Sequence, residues 1–536
     1  MFQKILVRSF LIAALASGST LMAAAQEAGT QTSDAQESVA QDFEAIKAKA
    51  EQGDPAAQVE LGNLYRFGDG VDADASQAVE NFRAAADQGY ADGQARLGLM
   101  YENGEGVDQS HDEAVDWYRK AAEQGGARGQ YYLGDMYEHG KGVPKRPSKA
   151  MDLYHKAAEQ GLANAQIALG VRYHNGEIVD ENYPEAVKWY RAAADQGAAQ
   201  AQANLGDMYE YGKGVEVDLR KAAELYRKAA DQGSAFGQTS LGLLYEYGNG
   251  VEQSLTEAVK WYRAAADKGD ADGQRFLATM YRYGYGVDSD LALAAEYYRK
   301  SAEQGSAVAQ TSLGLMYEYG EGVEQNSEEA VNWYRAAAVQ GNDRGRTFLA
   351  NMYRRGDGVE QDYDEALKLL RKSVVRDYPM AQVELGIMYE YGNGVEKNEK
   401  KAAELYRKAA DAGDVDGQVY LGEMYKTGNG VRKNFKDAVK YYRLAAEQGD
   451  ADGQTGLGLM YENGDGVKKS EKQAADWYRK AAEQGDAVGQ VYLADMYEFG
   501  KGVAKDLEQA EFWFQKAADQ GDEDGIEGLA RVAKAK

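Results

Sequence analysis

All four histidines of this 536-residue chain, His111, His139, His155 and His174, lie in one stretch of the sequence. Imidazole is a common zinc ligand, but a metal site needs several donors that converge with supporting hydrogen bonds. His139 and His174 fall on equivalent helices of neighbouring units, and His111 and His155 fall on the helices between. No metal site is expected from that arrangement. The chain has no cysteine, which excludes disulfides, thiolate metal ligands and thiol catalysis. Asp and Glu number 87, so close carboxylate pairs arise everywhere and single out no acid–base couple. No phosphate loop, nucleophile elbow or zinc signature occurs. The motif G-x-G-V resembles part of a phosphate loop only superficially, because it recurs twelve times and ends a helix each time. No catalytic residue, cofactor or metal is expected, and the chain reads as a non-enzyme.

Binding chemistry is better represented. The place held by Phe67 is aromatic again at Tyr211, Tyr247, Tyr283, Tyr319, Tyr391 and Phe499. The place held by Glu60 becomes Tyr132, Phe276, Phe348, Tyr420 and Tyr492. Seven residues make about two helical turns, so Phe276 and Tyr283 share a stripe. Such a ridge could hold an extended peptide or a partner helix, and the same rings could instead pack between units. The place of Arg66 alternates in sign through Glu246, Arg282, Glu318, Arg354, Glu390, Lys426 and Glu462. Opposite charges on neighbouring helices suggest a ladder, or a groove that reads a partner's charge. Each exposed pair would contribute about 0–1 kcal/mol. The place of Asn63 alternates too: Leu243, Leu315, Ile387 and Leu459 interleave with Thr279, Asn351, Glu423 and Asp495. A 72-residue period would suit a repetitive ligand, and duplication alone would also produce it.

A strict internal repeat positions these residues. Glycine recurs from Gly53 to Gly521 at intervals of 36, with one gap where Asp377 stands. In the unit 54–89, Ala57, Leu61, Leu64 and Tyr65 share one helical face. Gly62 lies beside that face, where a missing side chain admits a second helix. Gly68 and Gly70 break the helix, Asp74 caps the next, and Ala78, Phe82, Ala85 and Ala86 form its inward stripe. Gly89 ends it in the conformation glycine favours. Equivalents of Tyr65, Gly68, Val71 and Ala78 fill all thirteen units. One pair cannot enclose its own apolar face, so neighbours must stack. The expected fold is all-α: a right-handed superhelical solenoid of antiparallel helix pairs in 36-residue units. Thirteen repeats span 54–521, with half-repeat caps at 41–53 and 522–536. Positions 59, 60, 63, 66 and 67 should form the open arc of each first helix, lining a concave surface. Unit 342–377 is irregular, with Arg346, Leu370 and Asp377 in place of Gln, an aromatic and Gly.

The pattern L-G-x-x-Y-x-x-G-x-G-V, a capping residue, then A-x-x-x-Y-x-x-A-A-x-x-G resembles the Sel1-like repeat, a relative of tetratricopeptide repeats. Leu205-Gly206, Tyr209, Gly212, Gly214-Val215, Asp218, Ala222, Tyr226, Ala229-Ala230 and Gly233 match it directly. The resemblance covers about 41–530. It implies an adaptor or scaffold for protein complexes, often in bacterial envelopes or the secretory pathway. Some members carry a disulfide in each repeat and are linked to β-lactam binding. This chain lacks those cysteines, so that activity is not carried over.

The N-terminus reads as an export signal over 1–25: Lys4 and Arg8, an apolar run, then Ala23-Ala24-Ala25 before Gln26. Residues 26–40 read as a flexible linker. No later segment approaches membrane length, so no integral membrane segment is expected in the mature chain. The expected location is the periplasm, with secretion as the alternative. A net charge of −26 repels phosphate backbones, so no nucleic acid partner is expected. Basic runs such as Lys397–Lys401 and Lys468-Lys469 lie near second-helix starts and face solvent. The partners expected are proteins, as extended peptides or helices of basic or aromatic character. The competing functions are a periplasmic regulator that masks a membrane sensor's external domain and an envelope-polymer-binding or modifying enzyme.

Overall fold

The computed structural model describes residues 42–535, and all regular structure among them is helical. The export signal and linker lie outside the described residues. Two compact units divide the chain, one ending at Gln253 and one starting at Ser254. Each is a stack of antiparallel helix pairs joined by short turns.

The pair Ala307–Tyr319 and Ser327–Val339 in the second unit shows how sequence becomes structure. In the first helix Leu313 and Met316 are fully buried. In the second, Ala330, Val331, Tyr334 and Ala337 form the buried stripe. Each large apolar side chain so buried contributes roughly 1.5–3 kcal/mol. Gly314 allows the approach: a Cβ there would lie 2.5 Å from Tyr334 Cε1. Gly320 ends the first helix at φ 71°, and its N–H donates to Met316 O. Asn326 N–H then donates to Tyr317 O at 2.9 Å, closing the turn. The Asn326 side chain accepts from Glu329 N–H at 3.1 Å, as expected of a helix cap. Arg146 provides no side-chain cap, and Pro147 begins that helix instead.

Three recurring polar contacts fix register. The buried glutamine of the Gln58 place donates to a carbonyl of the preceding helix, as Gln310 does to Ala302 O at 3.0 Å. It also accepts from its own second helix, Gln340 Nε2 to Gln310 Oε1 at 2.8 Å. Arginines of the Arg83 place donate to the tyrosine of the next first helix, such as Arg263 to Tyr281 at 2.6 Å and Arg407 to Tyr425 at 2.7 Å.

The irregular unit keeps its helix pair, Asp343–Arg355 and Tyr363–Val374. Asp377 takes the glycine conformation at φ 55°. With Arg346 and Arg376 where the glutamine pair would stand, Asp343 becomes the acceptor. It receives Arg346 at 3.1 Å, Arg376 at 3.2 Å and Ser373 Oγ at 2.9 Å. The departure from the repeat is thus a charge-assisted substitute for an amide pair.

Candidate functional site

The first-helix face divides into layers that the sequence pattern does not separate. Position 59 is not part of an open arc: Val59, Ala203, Thr311, Thr347 and Val383 are all buried. They lie against the neighbouring repeat, a contact that periodicity within one helix does not register.

Rings at the Glu60 place are half-buried and stack on the large aromatic of the preceding second helix. Tyr132 stacks on Tyr118 at 5.1 Å and Phe276 on Tyr262 at 5.1 Å. Phe348 stacks on Tyr334 at 5.3 Å, Tyr420 on Tyr406 at 4.9 Å and Tyr492 on Tyr478 at 5.0 Å. Stacked pairs at this separation add about 0.5–1.5 kcal/mol each beyond area burial.

Charges at the Arg66 place also turn inward. Where the residue is glutamate and the second helix carries a buried tyrosine, the carboxylate accepts from that hydroxyl, as three pairs of the second unit show. Tyr334 Oη donates to Glu318 at 2.7 Å, Tyr406 to Glu390 at 2.6 Å and Tyr478 to Glu462 at 2.9 Å. Glu318 also pairs with Arg355 at 2.5 Å. Where the place is basic, the hydroxyl turns to position 63: Tyr298 meets Thr279 Oγ1 at 2.8 Å and Tyr442 donates to Glu423 at 2.6 Å. Lys426 pairs with the same Glu423 on its own helix at 2.8 Å, whereas the arginines reach sideways. Arg282 pairs with Glu321 of the next repeat at 2.7 Å, and Arg354 pairs with Glu384 at 3.5 Å. Arg66 pairs likewise with Glu105 at 2.6 Å. A rung therefore runs from position 66 to position 69 of the next repeat in Arg66 and Arg282, not from 66 to 66. The alternation of 63 and 66 keeps one acceptor within reach of a buried hydroxyl.

Burial raises the Tyr298 hydroxyl and holds those of Tyr334, Tyr406, Tyr442 and Tyr478 well above the usual tyrosine range, where the carboxylates beside these four reinforce the shift. At Leu370 the hydroxyl is missing, and Asn351 Oδ1 is buried without a partner. Leu370→Tyr should restore the contact and raise unfolding free energy by about 1 kcal/mol. The repeat of Tyr298 also carries an alanine, Ala278, at the place of Ala350, and both Tyr298 and Ala278 are buried there, so the ring has a precedent. Urea titration of the variant beside Leu370→Phe checks it, because phenylalanine brings the ring without the hydroxyl.

Rings at the Phe67 place face solvent. In the first unit these are Phe67, Tyr211 and Tyr247. In the second they are Tyr283, Tyr319, Tyr391 and Phe499, and all seven are 55–68% exposed. Tyr283 stacks on Tyr285 at 5.6 Å, and Arg282 lies 5.5 Å from the Tyr283 ring centre. These neighbours leave more than half of each ring in water. Glu246 has a partner contact of its own.

The histidines have separate surroundings. His139 Nδ1 lies 3.0 Å from Asp135 O, His155 Nε2 3.0 Å from Tyr173 Oη, and Lys213 Nζ 3.1 Å from His174 Nε2. Burial, then the Lys213 charge, pushes the His174 pKa down. Among the described residues no group of three or more His, Asp or Glu side chains is placed to hold a metal ion. None of their helices is long and apolar enough to cross a membrane.

Stacked helix pairs with a recurring polar register define a helical-repeat solenoid, a fold typical of protein-interaction scaffolds. The Sel1 repeat matches the chain thirteen times, over 55–90, 91–126, 127–162, 163–197, 199–234, 235–270, 271–306, 307–342, 345–374, 379–414, 415–450, 451–486 and 487–522. The chain belongs to the Sel1-repeat family, whose members are generally non-enzymatic and bind proteins. The crystal structure of c5321, a protective antigen of uropathogenic Escherichia coli strains displaying an SLR fold, is 37% identical. It aligns over 85% of this chain and 91% of its own with a TM-score of 0.53. A Sel1 repeat protein from Oxalobacter formigenes is 34% identical over 46% of this chain and 96% of its own, with a TM-score of 0.43. No curated protein matches the sequence.

Proposed function

We propose that the protein is an exported scaffold that holds partner proteins against the face of its first helices. The observation that carries this reading is the row of solvent-facing aromatic rings at the Phe67 place. Tyrosine presents a large, rigid, amphipathic surface at low entropic cost. Tyr283 and Tyr319 stay more than half exposed on consecutive repeats, so most of each ring is left for a partner. An extended peptide or helix with aromatic or basic side chains complements these rings, through stacking and cation–π contact. Arg282, Glu318 and Arg354 contribute by holding the helices that carry the rings. The N-terminal pattern of Lys4, Arg8 and the Ala23–Ala25 run supports export to the periplasm. The Escherichia coli relative is a protective antigen, which supports a location outside the cytoplasm for this chain too.

The test is affinity capture from the exported fraction with wild type beside Tyr283→Ala/Tyr319→Ala/Tyr391→Ala. Exposed positions leave folding intact, which circular dichroism verifies. Recovery of the principal partner should fall about tenfold or more. Equal recovery by both proteins would defeat the aromatic-surface reading.

A further inference from the structure

The chain is strongly acidic, yet three consecutive repeats of the second unit carry a basic edge. The second residue of the second helix is Glu328 and then Asp364 in two repeats, as the positive end of a helix dipole favours. In the next three repeats it is Lys400, Lys436 and Lys472. Arg432 and Lys468 extend the same edge from the preceding turns. These cations oppose the helix dipole, so helix stability does not explain them.

They are also unspent. Lys400, Arg432, Lys436, Lys468 and Lys472 are exposed, and none has an ion pair among the described residues. The edge is continuous, because each turn glycine sits on the preceding second-helix start. A Cβ on Gly430 would strike the Glu399 carbonyl, and one on Gly466 the Phe435 carbonyl. Between the second helix Glu399–Asp411 and the turn of the next repeat lies an open pocket of about 590 Å³, lined by Lys400, Arg407, Arg432 and Lys433 together with Glu404 and Asp437. Arg407 spends one guanidinium nitrogen on Tyr425.

We propose that this edge binds an acidic segment of a partner protein, with carboxylates against the lysines and one acidic side chain seated in the pocket. The interleaved carboxylates select the class of ligand. Peptide N–H groups can donate to Glu404 and Asp437, whereas a phosphodiester backbone brings only further negative charge to them. This surface is separate from the aromatic row, so either can fail without the other.

The experiment is a fluorescence-anisotropy titration of the full chain with a labelled Asp/Glu-rich peptide, repeated across rising salt. A Lys-rich peptide and a labelled oligothymidine run beside it. Arg432→Gln/Lys436→Gln/Lys468→Gln/Lys472→Gln should weaken acidic-peptide binding about tenfold or more. Lys188→Gln/Lys228→Gln/Lys260→Gln/Lys300→Gln makes the same change in net charge elsewhere and should alter binding less than about twofold. Equal loss in both variants, or tighter binding of oligothymidine than of peptide, overturns the proposal. So does sedimentation showing that the edge joins two copies of this chain while the peptide stays unbound.

Discussion

Raising the pH past about 10 should unfold this protein steeply, with loss of helix and ionisation of its buried tyrosines occurring together. In the first unit Tyr118, Tyr154, Tyr190 and Tyr226 are almost fully buried. Burial pushes each of their hydroxyls far above the ordinary value, and carboxylates such as Glu102 and Glu138 add to the shift. Tyr334, Tyr406, Tyr442 and Tyr478 do the same in the second unit. The folded state keeps these protons and the unfolded state releases them near pH 10. Stability is therefore fully present below about 10 and is lost as pH climbs toward the folded values. Each such tyrosine costs about 1.4 kcal/mol per pH unit in that window, so four together cost about 5.5 kcal/mol per unit of pH. Tyrosinate absorbance should first rise by only a share of the rings, while helicity holds. The rest should appear only as helicity disappears. A full tyrosinate signal with the helical spectrum intact would refute this.

Gly322→Ala should destabilise the second unit by about 3 kcal/mol, far more than the same change at Gly305. Both glycines have positive φ, 69° at Gly322 and 96° at Gly305. A Cβ added at Gly305 would meet nothing within 4 Å, so alanine there costs only backbone conformation, about 1 kcal/mol. At Gly322 the new methyl would enter the Leu291 carbonyl at the start of the preceding second helix. Relief requires separating two repeats or rebuilding the turn. Ile178 shows the rebuilt form: it avoids positive φ, and its side chain joins the apolar cluster around Tyr154. Urea unfolding of both variants checks the difference. Similar losses would mean that the turn shifts freely.

Much of this fold was legible in the residues. Gly62 beside the Leu61 face foretold a close helix approach, and a Cβ there would lie 2.5 Å from Phe82 Cε1. Asp74 foretold a cap, and its Oδ1 accepts from Ser76 and Gln77 N–H. These features are local, so one helix displays them. The site was less legible. Thr311 and Val383 are buried by a neighbouring repeat, which single-helix periodicity does not represent. The roles of positions 63 and 66 depend on a tyrosine sixteen to nineteen residues away, across a turn. Alternation was visible in the letters, but the hydroxyl it serves is found only once the helices are placed. Exposure at the Phe67 place followed the helical arc closely, because no later contact covers those rings.

The exchange of acceptor between positions 63 and 66 bears on how such a gene can change length. Donor and acceptor lie in the same 36-residue copy in Tyr334–Glu318 and in Tyr298–Thr279. A replication slip that inserts or removes one such copy moves both members together and strands no buried hydroxyl. This contact therefore sets no barrier to a change of copy number by single repeats, and with it the reach of the molecule.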